Sequence, residues 1–119
     1  MTIASTPEPP YYVAVITVDR AASDDGYFEM AEAMHELAQI QPGFLGLEWV
    51  YDAEQRVGIT SSYWADADAI AAWKQNADHL VAQRLGQESW YRAYTVRIAR
   101  VERDYRWTAG KQDERPESR

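Results

Sequence analysis

Residues 11–18 read YYVAVITV, an almost unbroken run of β-branched and aromatic side chains. Such a run predicts a strand. Tyr11, Val13 and Val15 fall on one side of it, and Tyr12, Ala14, Ile16 and Val18 on the other. A strand covered on one face only alternates with polar residues, so this one is expected to be covered on both. The pattern then changes period. Tyr27, Met30, Ala31, Met34, Leu37 and Ala38 recur at helical spacing and make one apolar stripe. Asp24 and Asp25 are placed to cap this helix, and Pro42-Gly43 to stop it. Glu29, Glu32 and Glu36 fall off the stripe, and His35 lies to one side of it, in a position expected to face solvent.

Residues 44–52 (FLGLEWVYD) and 57–64 (VGITSSYW) predict two strands joined by the polar turn 53–56. Asp66 is placed to cap a second helix over residues 67–77, with Ile70, Trp73 and Ala77 on one face. Asp78 is expected to cap a further helical piece over 79–85, ended by Gly86. Residues 94–104 (YTVRIARVERD) complete the pattern as a fourth strand. The order β-α-β-β-α-β predicts an α+β fold, a ferredoxin-like antiparallel sheet with both helices on one face. The other face is also apolar, and the chain holds no element to cover it. A second copy would, which predicts a homodimer through sheet faces.

Composition narrows the function. The 119 residues fit one domain: a flexible lead-in over 1–10 with three prolines, a folded body over 11–107 and a flexible polar tail over 108–119. A formal net charge of -7 argues against nucleic acid and anionic membrane surfaces as partners. There is no cysteine, which removes disulfides, thiolate nucleophiles and cysteine metal sites. No apolar run reaches membrane-spanning length and the N-terminus lacks the blocks of a signal peptide, so a cytoplasmic location is expected. Two histidines 44 positions apart form no metal motif, and Asp66 and Asp68 suit a helix start better than a cation.

Pro42-Gly43-Phe44-Leu45-Gly46, the segment Ser62-Tyr63-Trp64, then Ala69-Ile70 and Ala72-Trp73-Lys74, with His79, Ala82, Gly86 and Trp90-Tyr91, resemble the antibiotic biosynthesis monooxygenase family. The resemblance implies a dimeric α+β barrel with a ligand pocket between each protomer's sheet and its helices. It implies cofactor-independent monooxygenation of a small aromatic or quinol-like compound, with molecular oxygen as co-substrate and no flavin or metal. Trp73 resembles the helix tryptophan that lines the pocket in such proteins; the alternative is a core anchor. His79 suits proton transfer or, equally, a helix histidine bonded to backbone or water. Trp64, Trp90, Tyr91 and Tyr94 suit stacking on a planar ligand, or packing in a dimer interface. Arg97 and Glu48, charges within strands, suit an ion pair inside the barrel, or Arg97 orients an anionic ligand. Haem is the disfavoured cofactor, because His79 follows Trp73 by six positions where haem-degrading relatives have nine or ten. A non-catalytic binding or structural dimer is the rival to the enzyme.

Overall fold

The computed structural model describes residues 2–20, 26–83 and 91–110. It contains β1 (Tyr11–Arg20), α1 (Tyr27–Gln39), β2 (Phe44–Asp52), β3 (Val57–Trp64), α2 (Ala67–Gln83) and β4 (Tyr91–Val101). The strands form one sheet in the order β2-β3-β1-β4, and each neighbouring pair is antiparallel. This is the ferredoxin-like α+β fold that the order of elements predicts.

Register decides what each face carries. Ala14 lies opposite Ser62 on one side and Ile98 on the other, and Ile16 lies opposite Thr60 and Val96. These positions face the helices. Val13, Val15 and Thr17 face the opposite way, with Tyr63, Ser61 and Ile59 beside them. The core lies between sheet and helices, built on the buried Ala14, Ala38, Trp64, Ile70, Trp73 and Ala77. Trp64 is fully buried there, its ring 5.5 Å from Phe44 and 5.5 Å from Trp73. Its indole N–H donates to Ser62 Oγ at 2.9 Å, and the Ser62 hydroxyl donates to the Ala14 carbonyl at 3.4 Å. A buried indole is therefore satisfied without opening the β1·β3 ladder.

The connections follow local chemistry. Gly43 turns the chain out of α1 with φ of 84°, and a Cβ there would lie 2.7 Å from Ala69 Cβ. The absence of a side chain lets the β2 entry pack against α2 and lets the Gly43 carbonyl accept from Ala65 N–H at 2.8 Å. Asp66 caps α2, its Oδ1 accepting from Ala69 N–H at 2.8 Å. The turn after β2 is held by Asp52, which accepts from the N–H groups of Glu54 and Gln55.

Four expectations change. α2 is continuous through Asp78, which pairs with Lys74 one turn earlier rather than starting a new helix. An Asp inside an established helix is held there by the flanking hydrogen bonds and the i,i+4 ion pair. β4 begins at Tyr91 and ends at Val101, three residues ahead of the predicted span, because its ladder with β1 continues to Arg20. Arg97 and Glu48 do not pair: both face away from the helices, but β1 and β3 stand between their strands. Three interstrand steps of about 4.8 Å hold them about 14 Å apart. His35 is half-buried, not solvent-facing. The proposed caps Asp24 and Asp25 lie outside the described residues; α1 opens after Gly26, whose carbonyl accepts from Met30 N–H at 2.9 Å.

The face turned from the helices carries Val50 and Ile59, 56% and 46% exposed. Residues preceding β1 cross part of it. Ala4 N–H donates to Glu48 Oε2 at 2.9 Å, and Glu48 Oε1 accepts from the Tyr63 hydroxyl at 2.7 Å. Burial, with Glu48 beside it, pushes the Tyr63 hydroxyl up to about 12. The Tyr11 hydroxyl meets both Thr6 Oγ1 and the Asp104 carboxylate.

Candidate functional site

Between β1, β4 and the two helices lies a chamber of about 220 Å³. Ile16 and Val18 form its floor, Tyr94 and Val96 one wall, and Met34, Trp73 and Ala77 the roof. The sequence folds to this shape because β1 presents medium-sized side chains at alternate positions, while Ala77 on α2 leaves room one turn beyond Trp73. The walls are predominantly apolar. At the rim, Lys74 Nζ reaches the two carboxylate oxygens of Asp78 at 3.0 and 2.8 Å, so the charges there satisfy each other.

A second, smaller chamber of about 50 Å³ lies beneath α1. It adjoins the first at Ile16, Val18, Met34 and Trp73, which line both. Its other walls are Tyr27, Ala31, His35, Leu47, Trp49, Thr60 and Ser62. Here the polar groups concentrate: an imidazole and three hydroxyls. His35 stands edge-on to the Trp49 indole with ring centroids 5.1 Å apart. Burial lowers its pKa below the ordinary 6.5, so the imidazole is neutral at neutral pH. The Tyr27 hydroxyl is pushed up, first by burial and then by Tyr51, against an opposing pull from Arg20. Arg20 is itself buried, its guanidinium 4.9 Å from the Tyr27 ring centre and bonded to the Tyr51 hydroxyl at 2.7 Å.

Of the residues singled out from the sequence, Trp73 and Tyr94 line the larger chamber. Trp73 is 4% exposed, and its indole Nε1–H is buried with no hydrogen-bond partner among the described residues. Trp64 lies behind it in the core and touches its ring. His79 is exposed on α2 and belongs to neither chamber wall. Arg97 is exposed on the opposite sheet face. Trp90 lies outside the described residues, and Tyr91 is placed by its backbone, opposite Arg20 at the start of β4. The structure thus joins Trp73 and Tyr94 to Met34, expected only as part of the apolar stripe, to His35, expected to face solvent, and to Thr60, to which the sequence assigned no role. Spacing held the missing signal: His35 stands four positions after Ala31 and three before Ala38, both on the apolar stripe.

Among the described residues, no group of three His, Asp or Glu side chains could hold a metal ion, and no helix is long and apolar enough to cross a membrane.

A family model described as antibiotic biosynthesis monooxygenase matches residues 11–85. The uncharacterized protein YqjZ of Bacillus subtilis (strain 168) is 46% identical over 101 residues, spanning 85% of this chain and 88% of that protein. The crystal structure of PA3566 from Pseudomonas aeruginosa superposes with a TM-score of 0.62 at 17% identity, covering 83% of this chain and 99% of the other. SnoaB, a cofactor-independent oxygenase from Streptomyces nogalater, superposes with a TM-score of 0.57 at 14% identity, covering 87% and 100%. At these identities the two structures bear on the fold alone.

Proposed function

The chain belongs to the antibiotic biosynthesis monooxygenase family, and from that premise we propose that it is a cofactor-independent oxygenase acting on a small aromatic or quinol-like compound. One observation carries the reading: an apolar chamber between sheet and helices, bounded by a tryptophan whose buried N–H lacks a partner among the described residues. Without flavin or metal, the electrons for oxygen reduction come from the substrate itself. The protein's task reduces to a shaped, water-poor site that binds an electron-rich ring and fixes its oxygen substituent. The unsatisfied indole donor suits that substituent, because a buried donor gains most when a ligand supplies the missing acceptor. SnoaB, itself a cofactor-independent oxygenase, shares the fold, so the fold is compatible with this chemistry.

The reaction balances without an outside reductant. A quinol and dioxygen give a hydroxyquinone and water: one oxygen atom replaces a ring hydrogen as hydroxyl, and the other leaves as water. The chamber, about 220 Å³, is smaller than the roughly 300–1,000 Å³ of drug-sized sites, which favours one or two rings. A panel of quinols and phenols, followed by oxygen uptake and by mass spectrometry under labelled dioxygen, tests the proposal. One labelled atom in the product and no turnover under nitrogen are expected. Turnover that continues without oxygen would reject it.

The same reading includes a homodimer in the cytoplasm. The apolar side chains turned from the helices, Val13, Val15, Val50 and Ile59, suit cover by a second copy. Sedimentation at micromolar concentration should give twice the chain mass, and a stable lone protomer would remove this part of the proposal.

A further inference from the structure

We infer that His35 is the acceptor for the aromatic ligand's hydroxyl, with the ring in the chamber beneath α2 and the hydroxyl directed across the seam of Met34 and Trp73. This rests on the oxygenase reading for the reaction but on the two chambers for the binding mode. A hydroxyl both donates and accepts. Trp73, which lines both chambers, offers an N–H without a partner among the described residues, and an indole can only donate. Something else must accept the ligand's proton.

Each other group in the walls fits that role less well. The Ser62 oxygen already accepts from Trp64 and donates to Ala14. The Tyr27 and Thr60 hydroxyls can accept a hydrogen bond but are too weakly basic to take up the proton the reaction releases. Lys74 only donates, and Asp78 is held by it at the solvent-exposed rim. His35 remains: a half-buried imidazole in the smaller chamber, its ring fixed against Trp49. Burial keeps it neutral, the state that accepts.

The proton and electron then leave the ligand by separate routes. As the quinol passes one electron to dioxygen, its hydroxyl proton moves to His35. Superoxide couples with the ring radical, and the imidazolium returns the proton as water departs. A quinone product no longer has an O–H to give at that position, so His35 holds it less tightly than the quinol.

The test uses 2-naphthol and 2-methoxynaphthalene, which share a ring system but differ in the proton, titrated calorimetrically into the full chain. The wild type should prefer naphthol by roughly two- to tenfold, the span expected of one hydrogen bond. His35→Phe, which keeps a ring against Trp49 without an acceptor, should abolish the preference. His35→Gln, whose amide oxygen accepts, should restore part of it; this second variant decides the matter should the first not fold. Equal binding of the two probes by wild type, no binding of either, a preference that persists in His35→Phe, or, should that variant not fold, a preference lost or undiminished in His35→Gln would overturn the assignment. Oxygen uptake with 1,4-naphthohydroquinone, above the uncatalysed rate, separates the two ideas. A naphthol preference without uptake leaves His35 standing and removes the oxygenase; uptake without a preference does the reverse.

Discussion

The His35 imidazole meets the Trp49 indole edge-on, with centroids 5.1 Å apart and planes at 68°. The contact ties α1 to β2 and fixes a titratable ring in an apolar wall. It also makes stability depend on pH in a definite direction. In the unfolded chain His35 titrates near 6.5, whereas burial lowers the folded value. Above 6.5 both states are neutral and the group contributes nothing to the dependence. As the pH falls from 6.5 toward the lower folded value, the unfolded state binds more protons, and stability drops. Tyr27, which shares the chamber, stays neutral throughout because its own ionisation is pushed up, and Glu32 and Glu36 on α1 are exposed. The urea midpoint of wild type should therefore fall between about pH 7 and about pH 5. His35→Phe should show a smaller fall over the same interval; an identical fall would place the titration elsewhere.

Trp73 separates packing from hydrogen bonding. Its ring contacts Trp64 at 5.5 Å and is almost fully buried, so Trp73→Ala should cost about 3–5 kcal/mol in urea unfolding. Trp73→Phe keeps an aromatic ring and deletes a buried donor that has no partner among the described residues. Removing such a donor recovers part of its desolvation cost, about 1–3 kcal/mol, against a modest loss of packing. The phenylalanine variant should stay within about 1 kcal/mol of wild type while binding naphthol more weakly. A loss of stability as large as that of alanine would show that the N–H has a partner in solution.

Much of this arrangement is legible in residue order. The β-α-β-β-α-β sequence follows from changes in apolar period, and Asp66 and Pro42-Gly43 mark real ends. Trp73 and Tyr94 reach the chamber because helix and strand periodicity place them on inward faces. The rest depends on the third dimension. Whether a partly polar helix position such as His35 faces a cavity is set by the width of the sheet beneath it, here filled by Trp49 of β2. Likewise, nothing in FLGLEWVYD and YTVRIARV says that Glu48 and Arg97 lie on opposite edge strands of the sheet. Strand order decides it, and β1 and β3 come between them.

Ser62 joins a core tryptophan to the backbone of β1. Ser62→Ala removes the acceptor of the fully buried Trp64 N–H. Stability should fall by about 1–3 kcal/mol through the unsatisfied donor, more than the loss of one oxygen atom suggests. Ser62→Thr should also be costly, because an added methyl has to fit beside a fully buried position. Chemical denaturation of both variants checks this, and a neutral alanine variant would mean that Trp64 finds another acceptor.

The tightest backbone constraint is at Gly43. Alanine there meets two separate penalties. A φ of 84° places an L residue in the left-handed region, at about 1–2 kcal/mol. The new methyl would also stand 2.7 Å from Ala69 Cβ, closer than two carbons pack, so α2 or the β2 entry has to yield. Together these should lower stability by about 2–5 kcal/mol, since overpacking costs about 1–3 kcal/mol. The pairing variant Ala69→Gly relieves only the second penalty. In the Gly43→Ala background it should return part of the loss, after allowance for its own helix-interior cost of about 1 kcal/mol. A double-mutant cycle measured by urea unfolding reads that coupling directly. Zero coupling would mean that the two methyl groups never meet, and that β2 enters the sheet farther from α2 than the 2.7 Å approach requires.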